Sequence, residues 1–156
     1  MRSNGEFRNI CFSLPKNKVA KFVMSPREVY KVKKEPVYWP IQMQCVNTEA
    51  NYFNEVHLLI VADCVGYGYP DFHYDFFSGK PTIMGCPKLD HEDYTKRLLQ
   101  IFNLHHIYSV TLTCMEVPCC KVLKTAVEKA IQLSQQNIPL AVIMISCKGK
   151  SLLCQH

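Results

Sequence analysis

The stretch His57-Leu58-Leu59-Ile60-Val61-Ala62-Asp63-Cys64-Val65-Gly66-Tyr67-Gly68 decides the fold. Its first half is a continuous apolar run, the pattern of a strand covered on both faces. It stops at Asp63-Cys64, and a glycine-rich turn leads to Tyr69-Pro70. Working outward, Thr82-Ile83-Met84-Gly85 reads as a short strand entering Cys86-Pro87, Ile107–Thr113 as a β-branched strand and Leu140–Ile145 as a last one. Upstream, Trp39–Val46 reads as a further strand with Pro40 at its start, and Thr48–Asn54 as one or two helical turns. Between the strands lie helical segments. Asp71–Phe77 is a short helix capped by Asp71 and closed by Gly79. Asp90 is the expected N-cap of a helix with Tyr94, Leu98, Ile101 and Phe102 on one face. Pro118 starts a helix over about residues 119–135, with Val122, Leu123, Ala126, Val127, Ala130 and Ile131 on its apolar face. Alternating strands and helices predict a mainly parallel sheet of about five strands. Right-handed crossovers would put helices on both faces. The expectation is one three-layer α/β domain, flavodoxin-like or Rossmann-like in winding.

The chain has 156 residues, 48% of them apolar and 20% charged, which suits one well-buried domain. Its net charge of +5 is uneven. Residues 1–38 hold nine Lys or Arg against Glu6, Glu28 and Glu35, and the rest holds nine basic against ten acidic residues. The expected organisation is a basic N-terminal extension over 1–37 and a cysteine-rich α/β domain over 38–156. A basic arm suits an acidic partner or a solvated extension. No base-stacking motif or zinc finger supports nucleic-acid binding. No apolar run approaches the roughly 20 residues of a membrane span. Met1–Glu6 is not followed by the apolar core of a signal peptide. Together with an odd cysteine count, this predicts a cytoplasmic protein in a reducing interior.

Nine cysteines are the unusual feature. Cys64 follows the second expected strand, Cys86 the third, and Cys119-Cys120 joins a strand end to a helix start. In an open parallel sheet all strand carboxyl ends share one edge, where such folds bind ligands. Four thiols there are enough for a tetrahedral zinc ion or a cubane cluster. Cys119 and Cys120 sit where helix amides favour a thiolate, so metal-free thiol redox chemistry is an alternative. Cys114, Cys147 and His73 are secondary candidates, while Cys45 reads as core and Cys11 and Cys154 as incidental. Glu116 has the chemistry of an acid or base but no nucleophile paired with it. Gly66-Tyr67-Gly68 lacks the third glycine of a dinucleotide fingerprint, and Gly79-Lys80-Pro81-Thr82 lacks the earlier glycine of a phosphate loop.

Several blocks carry a resemblance: Trp39-Pro40-Ile41-Gln42; Ala62-Asp63-Cys64 with Tyr69–Phe76; Ile83-Met84-Gly85-Cys86-Pro87-Lys88-Leu89-Asp90; and Met115-Glu116-Val117-Pro118-Cys119-Cys120. Over about residues 38–146 the chain resembles the C-terminal domain of the anaerobe 4Fe-4S ferredoxin, or iron–sulfur cluster-binding, family. The resemblance implies a cluster association, 4Fe-4S first and zinc or none as alternatives, and its matching cysteines, Cys64, Cys86, Cys119 and Cys120, are the ones that the shared strand-end position selects. It also implies electron transfer or redox sensing with a redox partner protein. Residues 1–37 contain only Cys11, so the family's N-terminal ferredoxin module is expected to be lacking. An accessory interaction module that has lost its cluster-binding half is therefore the competing expectation. No small-molecule substrate is indicated.

Overall fold

The computed structural model describes residues 38–77 and 79–154, with side chains to residue 150. The basic extension over 1–37, Cys11 and the Cys154 side chain lie outside the described residues. Every described element belongs to the second of the chain's two units, Glu35–His156.

A five-stranded sheet carries the fold. Its strands are β1 (Val56–Ala62), β2 (Thr82–Gly85), β3 (Ile107–Met115), β4 (Leu140–Ile145) and β5 (Ser151–Cys154), in the order β2-β1-β3-β4-β5. The first four are parallel, and β5 is antiparallel to β4. This is the α/β doubly wound class expected from the sequence. The interior strand β1 is buried from Leu58 to Ala62, as its unbroken apolar run requires. α2 (Tyr94–Leu104) and α3 (Pro118–Ser134) carry the second and third crossovers. Both crossovers run toward β4, whereas the first runs the other way to β2. Right-handed connections therefore put α2 and α3 on one face and the first connection on the other. That first connection holds α1 (Val65–Gly68, a single turn) and a π-helical turn over His73–Phe77. Leu98, Ile101 and Phe102 of α2 meet Leu123, Val127 and Ala130 of α3 in one core. Phe72, Phe76 and Val65 are buried from the first connection.

The structure corrects the local reading in four places. Trp39–Val46 is not a strand. Gln42 makes one bridge to Met84, and then Cys45 N–H and Val46 N–H both donate to the Gln42 carbonyl (2.8 and 3.1 Å), closing a turn. The Gln42 side chain accepts from Gln44 N–H at 2.7 Å, so local side-chain hydrogen bonding overrides the alternating pattern. Cys45 is consequently exposed rather than core. The fifth strand is instead β5, formed where Ser146 N–H donates to Lys150 O (2.8 Å) and Gly149 takes φ 71° to turn the chain. Finally, Asp93 caps α2 by accepting from Thr95 N–H at 3.0 Å, which leaves Asp90 for another task.

Gly85 ends β2 directly beneath Tyr94. A Cβ at this position would lie 2.5 Å from Tyr94 Oη and 2.8 Å from its Cζ. Gly85→Ala is expected to lower stability by about 1–3 kcal/mol through this overlap. Urea denaturation checks this, and an unchanged midpoint would show that Tyr94 moves aside freely.

Candidate functional site

The parallel register places the candidate residues. Ala62 pairs with Gly85 and Val61 with Thr113. Cys64, Cys86 and the β3–α3 junction that holds Cys119 and Cys120 therefore follow three neighbouring strands on one carboxyl edge. Two groups form there.

The first group covers the ends of β1 and β2. Asp90 accepts hydrogen bonds from Tyr94 Oη, from Gln42 Nε2 (3.2 Å) and from Cys86 N–H (3.4 Å). The Cys86 carbonyl accepts from Leu89 and Asp90 N–H, each at 2.9 Å, so the loop Cys86–Asp90 is closed on itself. Asp63 N–H donates to Gly85 O at 3.3 Å, and its carboxyl is close enough to feel the Asp90 charge. Burial, and then the Asp90 charge, raise the Asp63 pKa. Burial also acts upward on Asp90, but donation from Tyr94, Gln42 and Cys86 N–H outweighs it and leaves that pKa below the ordinary value. Burial, followed by the bond to Asp90, raises Tyr94 well above the usual tyrosine range. One carboxyl is thus held ionised and its neighbour is biased toward the protonated form.

The second group is sulfur. Cys120 is buried in the first turn of α3, where the Cys119 and Cys114 thiols both act on it electrostatically. Burial pushes the Cys120 thiol up to about 11 against a contrary pull from a hydrogen bond with the Met115 backbone. The Cys120 thiol is thus held protonated despite its place in the first turn of α3. Cys114 is also buried, and its thiol donates to Met144 Sδ at 3.9 Å.

Each candidate has a definite place. Cys64 is exposed at the N-cap of α1, with no side-chain capping bond. Cys86 and Cys119 are half-buried. Cys147 is exposed in the β4–β5 turn, and Glu116 is exposed. His73 is exposed, its ring edge-on to Phe72 and Phe77. Among the described residues, no group of three or more His, Cys, Asp or Glu side chains is placed to hold a metal ion. The fold thus brings the strand ends together without gathering the four expected sulfurs around one centre.

Sequence reasoning missed Gln42, Asp63, Tyr94 and Met144. The spacing of Asp90 and Tyr94, four residues apart, was a usable signal for one contact. The contact of Gln42 with Asp90 spans 48 residues and had no local signal. Nor does any helix among the described residues have the length and apolarity to cross a membrane.

A family described as "Rossmann-like domain" matches residues 50–156. The chain belongs to the Rossmann-like domain family. The match covers every strand of the sheet and the carboxyl-edge residues other than Gln42. A protein of Archaeoglobus fulgidus named "Uncharacterized protein" is 29% identical over 92 residues, 59% of this chain. The aligned part spans 65% of that relative's own length. No solved structure matches. Neither match bears on an iron–sulfur cluster; the family shown is the Rossmann-like domain.

The two carboxylates of the first group act on stability in opposite directions. Asp90, with its folded pKa depressed, contributes stability above the ordinary aspartate value of about 3.9 and loses it as pH falls through the folded value. Asp63, with its pKa raised, contributes below that value and loses it as pH rises through its folded value. Asp90→Asn is therefore expected to lower the melting temperature near neutral pH, with the deficit shrinking in acid. Asp63→Asn is expected to raise it near neutral pH, with the gain shrinking in acid. Paired thermal melts near pH 7 and pH 3 check both signs.

Proposed function

We propose that this Rossmann-like domain binds an iron–sulfur cluster or a thiolate-held metal for electron transfer or redox sensing, with Cys64, Cys86, Cys119 and Cys120 as ligands. The observation that carries the reading is the strand order β2-β1-β3, which puts these cysteines after three adjacent strands at one edge. Four thiols suit a 4Fe-4S cluster or a tetrathiolate zinc in number and kind. Their side-chain placement does not form a ligand group as it stands. Loading thus requires the thiols to turn toward a shared centre and Cys120 to surrender a tightly held proton. A bound cluster would supply one-electron chemistry. The chain's own part is to hold the edge: Asp90 fixes the Cys86 loop through its N–H, and the Val117 carbonyl accepts from Cys120 N–H at 3.1 Å. Such a role needs a reducing cytoplasm and a redox partner protein.

A second reading is a non-catalytic interaction module whose partner carries the cluster. It is favoured by the ungathered sulfurs and by large exposed side chains at Trp39, Tyr67, Tyr74 and Leu89. Metal-free thiol redox chemistry through Cys119 and Cys120 has less support, because burial keeps Cys120 as a poorly nucleophilic thiol.

Anaerobic reconstitution with iron and sulfide distinguishes these readings. The first expects a cluster absorbance, with bound iron at least halved by serine at Cys64, Cys86 or Cys119. Iron and zinc both below about one-tenth equivalent would overturn it, since a thiolate site that folds with its metal retains it. The interaction module then becomes the reading.

A further inference from the structure

We propose that Cys114, Cys120 and Met144 form a soft-metal site, buried between β3, β4 and the first turn of α3, that takes a monovalent copper-class ion. The pairing of β3 with β4 sets Cys114 directly opposite Met144. Met115, one residue on, faces Gly68 of the first connection, so Cys114 and its partner Met144 take the opposite, α3 side, where Cys120 is buried next to the Met115 backbone and interacts electrostatically with Cys114. Sulfurs bonded to one ion at about 2.3 Å stand about 3.8–4.0 Å apart in tetrahedral or trigonal geometry. Cys114 Sγ and Met144 Sδ are 3.9 Å apart. The donor set is two thiols and a thioether, which selects copper(I) over harder divalent ions. Cys114 and Cys120 are 1% and 5% exposed, so the ion would be shielded from water. Cys119, half-exposed and next to Cys120 in the chain, connects this sulfur group to the surface.

Binding is ligand exchange without redox change. Two S–H bonds break and two copper–thiolate bonds form. The thioether donates a lone pair, two protons pass to solvent, and the copper remains monovalent. The copper site shares Cys120 with the proposed cluster, so the two are alternatives at that thiol; it otherwise uses Cys114 and Met144, which the cluster leaves out, and not Cys64 or Cys86.

The test is anaerobic competition for copper(I) between the full-length chain and the chelator bathocuproine disulfonate, read as loss of the chelator–copper absorbance. The native chain should withdraw copper. Met144→Leu, a volume-conserving change, and Cys114→Ala should each weaken retention at least about tenfold, the scale on which metal sites respond to loss of supporting groups. The Cys64→Ser/Cys86→Ser double variant should withdraw copper like the native chain while losing any reconstituted iron. Thermal melts establish that each variant is folded, and Met144→Leu decides the matter if Cys114→Ala is not. Retention unchanged in Met144→Leu overturns the proposal. So does copper that is lost in the Cys64/Cys86 variant, or that never leaves the chelator.

Discussion

Everything at the carboxyl edge depends on the parallel pairing of β1 with β2 on one side and β3 on the other. Parallel strands with both faces covered run out at the same edge, so residues far apart in the chain become neighbours there. Cys64 and Cys86 are 22 positions apart, and Cys86 and Cys119 are 33 apart, yet they follow adjacent strands. The pairing holds because Leu58–Ala62 leaves no polar side chain to solvate. The apolar area buried along β1 makes a one-residue slip costly, and the register of Ala62 with Gly85 fixes the height of both loops.

On that frame the edge divides into two chemical neighbourhoods. Over β1 and β2 the contacts are oxygen and nitrogen: Asp63, Asp90, Tyr94 and Gln42, with Cys86 attached through its backbone N–H. Over β3 and β4 the contacts are sulfur: Cys114, Cys119, Cys120 and Met144. The division follows from which face each side chain takes. Cys114 and Met144 alternate onto the α3 side, whereas Met115, one residue on, turns to the other side, close enough that a Cβ on Gly68 would lie 3.1 Å from its Cε. The edge is rich in sulfur as a whole, but strand alternation spreads the sulfur over both faces of the sheet.

Much of this was legible in the sequence, and the failures have physical causes. Long apolar runs and one-sided helices carried the reading: β1, β3, β4, α2 and α3 all lie where periodicity put them. The edge location of Cys64, Cys86, Cys119 and Cys120 followed from fold class alone. Trp39–Val46 failed because a strand pattern competed with a turn closed on the Gln42 carbonyl, an outcome periodicity does not encode. Asp90 and Asp93 are both suited to the N-cap of α2, and Asp93 takes it, which spacing alone does not decide. Direction of side chains was the deeper limit. Spacing along a chain says which residues reach an edge, whereas burial and partners say whether a thiol there faces its neighbour or the core.

The Gln42 bridge has a consequence beyond the site. β2 would otherwise present an open row of backbone groups along the sheet's outer border, a template onto which another polypeptide can add. Met43 N–H donates to Met84 O and Met84 N–H donates to Ile41 O, each at 2.7 Å, and the chain then turns away before it can continue as a strand. That short clasp occupies both outward backbone groups of Met84 without lengthening the sheet. It protects the border against runaway self-association through the same glutamine that tethers Asp90.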